Sequence, residues 1–257
     1  MAASPGFVER GWHWWLSRVA VPFLVALIAA AVGLYIGVFR NSNTGDSEGN
    51  SAITSAESSN CANNSQELTG GWGPDRPTVG TVDYAPQPSF NVDRYNSVYG
   101  DERNFLVVKE LSHTIAGGWA DRLEVLPNQT YRLRLLVHNG ARDQDENVAE
   151  NTTIHISIPA CAGSSIAIFG FITATNAFPG TIYDGIVLNS DRDFRVEFVP
   201  GSAKFYSNNF TDGTDIPDRI FMPSGMRIGS PDLDSGLFRG DYVNSGVIVA
   251  EIRTTPA

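Results

Sequence analysis

Tyr131-Arg132-Leu133-Arg134-Leu135-Leu136-Val137 alternates large apolar side chains with other types. A period of two puts residues 131, 133, 135 and 137 on one face and both arginines on the other, as in a half-buried β-strand. Thr153-Ile154-His155-Ile156-Ser157-Ile158 repeats the pattern, and so does Phe194-Arg195-Val196-Glu197-Phe198. Further short runs read as strands at 105–108, 122–125, 166–172, 182–188 and 247–252. Turn-forming residues separate them: Pro127-Asn128, Asn139-Gly140, Pro159, Pro179-Gly180 and Pro200-Gly201. No stretch after residue 41 carries a long helical period, and no internal repeat is present. The expectation is a mainly β chain whose residues 104–257 form one antiparallel β-sandwich of about eight short strands.

Upstream of this domain the composition changes twice. Residues 74–103 hold Pro77, Pro86 and Pro88 with Tyr84, Phe90, Tyr95 and Tyr99 between them. Such a segment is expected to be extended and to lie against the domain, because so many aromatic side chains seldom float free. Residues 40–73 are dominated by Ser, Asn, Gly, Thr and Glu and read as a flexible, disordered tether.

Residues 19–39 contain no charged side chain over 21 positions. At ~1.5 Å per residue that is ~31 Å of helix, against ~30 Å of bilayer hydrocarbon. A cleaved signal peptide would need a shorter apolar run and a small-residue cleavage site, which Phe39-Arg40-Asn41 does not supply. Trp12, Trp14 and Trp15 precede the run at the level of an interfacial belt, and Arg10 and Arg18 flank them. The positive-inside bias then makes residues 1–18 a cytoplasmic tail and places the C-terminal domain outside, a single-pass type II arrangement in the cell membrane. Gly33 and Gly37 form a GxxxG that could support self-association through the helix; facing lipid is the alternative.

The chain has 18 Lys+Arg against 28 Asp+Glu. Three of those basic residues and one acid, Glu9, lie in the first forty positions, leaving 15 against 27 beyond them and a net charge of −12. A surface of that sign repels phosphate backbones, so no nucleic-acid partner is expected. The two cysteines, Cys61 and Cys161, have no zinc-type spacing. In an oxidising exterior they could form a disulfide tying the tether to the domain; two free thiols are the alternative.

The strand ending Val137-His138-Asn139-Gly140-Ala141, the next one closing at Ile158-Pro159, and Val196-Glu197-Phe198-Val199-Pro200-Gly201-Ser202 resemble the immunoglobulin-like modules of bacterial cell-surface proteins, particularly those of high-G+C Gram-positive bacteria. The resemblance spans residues 104–252. It implies an exported wall-associated or adhesive module, with a cell-wall or protein partner and no catalytic residues to carry over. Tyr99-Gly100-Asp101-Glu102-Arg103-Asn104-Phe105 belongs to no motif of that family.

No metal-binding HExxH and no GxSxG nucleophile motif occurs among these residues. His138 and His155 sit at or near strands and are expected to face solvent. Asp212, Asp215 and Asp218 could offer calcium several oxygens on a turning loop, although solvated Asx turns explain them equally. Arg239-Gly240-Asp241 reads as ordinary loop chemistry. A rival reading from another class is a wall- or glycan-modifying enzyme with two catalytic carboxylates among Asp143, Glu146, Asp191 and Asp193.

Overall fold

The computed structural model describes residues 60–62, 68–80 and 83–257. The expected cytoplasmic tail, the apolar run 19–39 with Gly33 and Gly37, and the start of the tether lie outside the described residues. Among the described residues no helix is long and apolar enough to cross a membrane.

The domain is mainly β. Eleven strands form one hydrogen-bonded network: β1 (Cys61–Ala62), β2 (Leu106–Glu110), β3 (Arg122–Glu124), β4 (Thr130–Val137), β5 (Thr153–Ser157), β6 (Gly163–Thr173), β7 (Thr181–Phe198), β8 (Lys204–Ser207), β9 (Phe210–Asp215), β10 (Met226–Arg227) and β11 (Gly246–Pro256). The main path runs β10-β5-β6-β7-β11-β4-β2. These pairings are antiparallel, and the short β3 lies parallel to β7. Helical structure in the described residues is confined to short 3-10 turns at Asp145–Asn147, Asp218–Phe221 and Tyr242–Asn244.

The runs 182–188 and 194–198, read as two strands, are one strand of 18 residues. The intervening Ser190-Asp191-Arg192-Asp193 is polar and carries no alternation, so sequence pattern alone splits it. Its length lets β7 serve two neighbours: residues 181–189 pair with β6, and residues 194–198 pair with β11. The two ends of the sheet consequently meet face to face. A Cβ placed on Gly170 of β6 would lie 2.8 Å from Leu135 of β4 and 3.6 Å from Leu106 of β2. Glycine at 170 permits that approach of a strand backbone to the opposite side chains.

Ile154, Ile156, Ile168, Ile172, Ile182 and Ile186 enter the shared core together with Leu133, Leu135, Val247 and Ile248. On β5 the alternation is plain, with Ile154 and Ile156 buried and Thr153, His155 and Ser157 half-buried. β4 departs from its expected half-burial. Arg134 is fully buried, its guanidinium 5.0 Å from the Tyr99 ring and 5.2 Å from the Trp119 ring. The face expected to meet solvent is covered at Arg134 by Tyr99 and Trp119, a cover from outside the strand that a seven-residue pattern cannot reveal.

Part of the stretch read as a flexible tether over 40–73 is built into the fold. Cys61 and Ala62 pair with Ile166 and Ser165, the Leu68 carbonyl accepts from Arg122 Nη2 at 2.9 Å, and Gly73 bridges to Tyr183. Cys61 and Cys161 are joined by a disulfide with their Cα atoms 6.1 Å apart. Residues 83–104 bury Phe90, Val92 and Tyr99 while Tyr95 stays exposed. From residue 96 they are folded into turns instead of extended, the Gly100 N–H donating to the Asn96 carbonyl and the Asn104 N–H to the Asp101 carbonyl.

Candidate functional site

Two regions stand out from the regular packing. The first is the outer face of β5, β6 and β7. Because successive strand residues point to opposite faces, the residues that alternate with the core isoleucines line up across the strands. His155 lies opposite Phe171, and Phe171 opposite Tyr183, so three rings form a row perpendicular to the strands. The centroid spacings are 5.6 Å for His155–Phe171 and 6.2 Å for Phe171–Tyr183, with Phe169 6.4 Å from Phe171 along β6. Two positions away, Thr153, Thr173 and Thr181 form a second row, and the hydroxyls of Thr173 and Thr181 lie 3.1 Å apart.

A turn at 222–225 rims these rows. The Gly225 N–H donates to the Met222 carbonyl at 2.8 Å, and Gly225 has φ +59°. A side chain there would be strained and would press on the Ile154 carbonyl, so glycine sets how close the rim approaches β5. Pro223, Ser224 and Gly225 of the rim, with Ile154, His155, Phe171 and the three threonines, line an open cavity of about 230 Å³. The lining holds no carboxylate, lysine or arginine. Burial lowers the pKa of His155, which favours the neutral imidazole, one nitrogen donating and the other accepting.

The second region is a buried polar cluster under the 93–104 segment. Glu102 is fully buried. Its Oε1 accepts from Asn96 Nδ2 at 2.7 Å, while Oε2 accepts the Asp93 N–H at 3.4 Å and lies 2.7 Å from His138 Nδ1. His138 is itself buried, contrary to the solvent-facing position expected of it, and its ring packs edge-on against Tyr242 at 5.5 Å. Desolvation pulls the His138 pKa down, but the carboxylate of Glu102 outweighs it, with Asp93 and Asp241 adding to the pull, and the net shift is upward. Burial raises the pKa of the two neighbouring phenols, Tyr99 and Tyr242. Among the described residues no serine or cysteine side chain bonds His138. The dyad thus ties the 93–104 segment to the end of β4.

Sequence reasoning passed over Glu102 because nothing in its neighbours signals burial. Asp184 is a similar case: fully buried on β7, its Oδ2 accepts the Phe105 N–H at 2.5 Å and the Leu106 N–H at 2.7 Å. Desolvation lifts its pKa well above the carboxylate range.

The three proposed calcium ligands are not brought together. Asp215 pairs with Lys204 at 2.5 Å, Asp218 accepts the Gly201 N–H at 2.9 Å, and Asp212 is exposed on β9. No group of three or more His, Cys, Asp or Glu among the described residues is arranged to hold a metal ion. Of the carboxylates considered for glycosidase chemistry, Asp143 is paired with Arg239 at 2.5 Å, while Glu146, Asp191 and Asp193 are exposed, and none lines the cavity. Arg239-Gly240-Asp241 is committed internally: Arg239 holds Asp143 and Asp145, Gly240 is bridged to Asn139, and Asp241 accepts from the Tyr84 hydroxyl at 3.0 Å.

No protein-family model, no curated protein and no solved structure matches this chain.

Proposed function

We propose that this chain is a single-pass, type II membrane protein whose C-terminal domain, a sandwich of immunoglobulin-like kind, stands outside the cell and works by binding, as an adhesive or structural part of the envelope. The observation that carries this reading is the Cys61–Cys161 bridge. Disulfides persist in oxidising compartments, and this one begins about twenty residues beyond the apolar run 19–39. It welds the stem to the loop between β5 and β6, so tension on the anchor enters the domain through a covalent link as well as through the two-residue β1. A domain that must stay attached while its outer face engages something has use for such a link. The uncharged, ring-lined cavity gives that outer face a place to engage.

The test is protease added outside to spheroplasts, with fragments identified by mass spectrometry. Cleavage upstream of Cys61 that releases a resistant C-terminal piece supports the reading. A C-terminal domain protected until the membrane is broken means the opposite orientation, and the reading is then abandoned.

A further inference from the structure

We propose that the cavity over β5, β6 and β7 is a binding site for a neutral sugar ring, the ring's apolar face laid on Phe171 and His155 and its hydroxyls met by Thr153, Thr173, Thr181 and Ser224. The proposal deepens the binding role given above and rests on it for biological sense.

Size comes first. A space of about 230 Å³ is smaller than the roughly 300–1,000 Å³ that holds a drug-sized ligand, and it suits one six-membered ring with its substituents. Charge narrows the class further. The domain is acidic throughout, yet the cavity lining carries no ionised group. Arg227, opposite Thr153 across β10 and β5, is turned to Asn151 and to the Ser235 carbonyl, 3.2 Å and 3.1 Å away. An anionic or cationic ligand would lose its hydration without a counter-charge, which is costly, whereas a neutral polyol would not.

Hydrogen-bonding capacity is the third argument. Two hydroxyls that bond each other, as Thr173 and Thr181 do at 3.1 Å, keep one proton and several lone pairs for a guest. Thr153, Ser224 and the neutral His155 add further donors and acceptors around the same space. An apolar floor with a hydroxyl wall matches the two-sidedness of a pyranose, which has an apolar C–H face and a rim of O–H groups. Beyond Phe171 the row of rings passes to Tyr183, which is buried and bridged to Gly73, so the site is confined to the single ring that the cavity accommodates, with the rest of an oligosaccharide left in solvent.

The experiment uses the full chain in lipid nanodiscs, titrated calorimetrically with cellohexaose, chitohexaose and mannohexaose, and with a pectic hexagalacturonate as a charged counterpart. At least one neutral hexaose is expected to bind. Phe171→Ala should weaken it more than tenfold, and Thr173→Val, which keeps the side-chain shape, three- to tenfold, with the melting temperature of the Thr173 variant within about 2 °C of the parent. Affinity should be unchanged between pH 6.5 and 8. Absence of binding by all three neutral hexaoses, preference for the charged one, or binding that survives Thr173→Val and Phe171→Ala would overturn the site. The two readings fail separately. Sugar binding by a domain that protease finds inside the cell overturns the topology alone, and an outward domain that binds none of these sugars overturns the site alone.

Discussion

His138 Nδ1 lies 2.7 Å from Glu102 Oε2, across 36 positions of sequence, and both residues are buried. The contact joins the 93–104 segment to the residue that follows β4. It is therefore a tertiary clasp, and its energetics should be visible in stability.

Removing one partner leaves the other buried without its hydrogen bond. His138→Ala is expected to cost roughly 3 kcal/mol, as for breaking a buried ion pair from one side. In a domain of this size that lowers the melting temperature by roughly 6–12 °C. Thermal unfolding followed by circular dichroism measures it; a loss under 2 °C would mean that the clasp contributes little.

The pH dependence follows from the direction of each shift. His138 binds its proton more tightly when folded, so its contribution is fully present below ~6.5 and is lost as pH rises through the higher folded value. Asp121, lifted to about 6 by desolvation, and Asp184, also raised by desolvation, act in the same sense, with stability lost as pH climbs above ~3.8. The domain should thus be more stable at pH 5 than at pH 9. Asp121→Asn should remove the portion of the slope below about 6, and Glu102→Gln the portion above ~6.5. Denaturant titrations of the three proteins at five pH values decide the point, and a flat profile in the parent would refute the assignment.

How much of this was legible in the residues depends on range. The alternation at 131–137 and 153–158 announced strands, and the structure has β4 and β5 there. It also announced that Arg134 would face water, which is wrong, because the cover comes from Tyr99 and Trp119. Period-two reasoning tells which side chains share a face but not what lies over that face. β8 and β9 escaped notice because Lys204–Ser207 is only four residues long and Phe210–Asp215 is mostly polar, and they are strands by pairing with β11 and with each other. The candidate sites fared worse. The acidic loops drew attention through composition, while His155 and Phe171 become a unit only when register sets them side by side.

Glycine 185 shows the same dependence on register. A Cβ there would collide with the Ile168 carbonyl and come within 2.8 Å of the Phe169 ring. Gly185→Ala should destabilise the domain by about 1–3 kcal/mol, as overpacking does. It should also disturb the neighbouring ring row. Unfolding midpoints compared with those of Gly201→Ala, where open space surrounds the Cβ although φ is +71°, separate a packing clash from backbone strain; equal losses would rule out the clash.

The disulfide closes a sequence separation of 100 residues. Replacing both cysteines by serine is expected to remove about 2–4 kcal/mol. Beyond that loss, β1 is held by its two-residue ladder to β6, by Ser164 Oγ donating to the Ala62 carbonyl at 3.4 Å and by the burial of Ala62. Limited proteolysis of the double variant should then cut next to Ala62 faster than in the parent. Identical digestion patterns would show that these contacts alone suffice.

β11 touches β4 along Gly246–Arg253, β8 along 246–249 and β7 along 252–256, so one strand near the C-terminal end of the sequence holds three others in place. A polypeptide emerging from a ribosome or a translocon presents this strand after the partners it must join. The earlier strands wait with open edges until residues 246–256 arrive, and stalled chains ending before Gly246 are expected to be digested where completed ones resist. Assembly here is a closing event, in which one strand binds three that precede it.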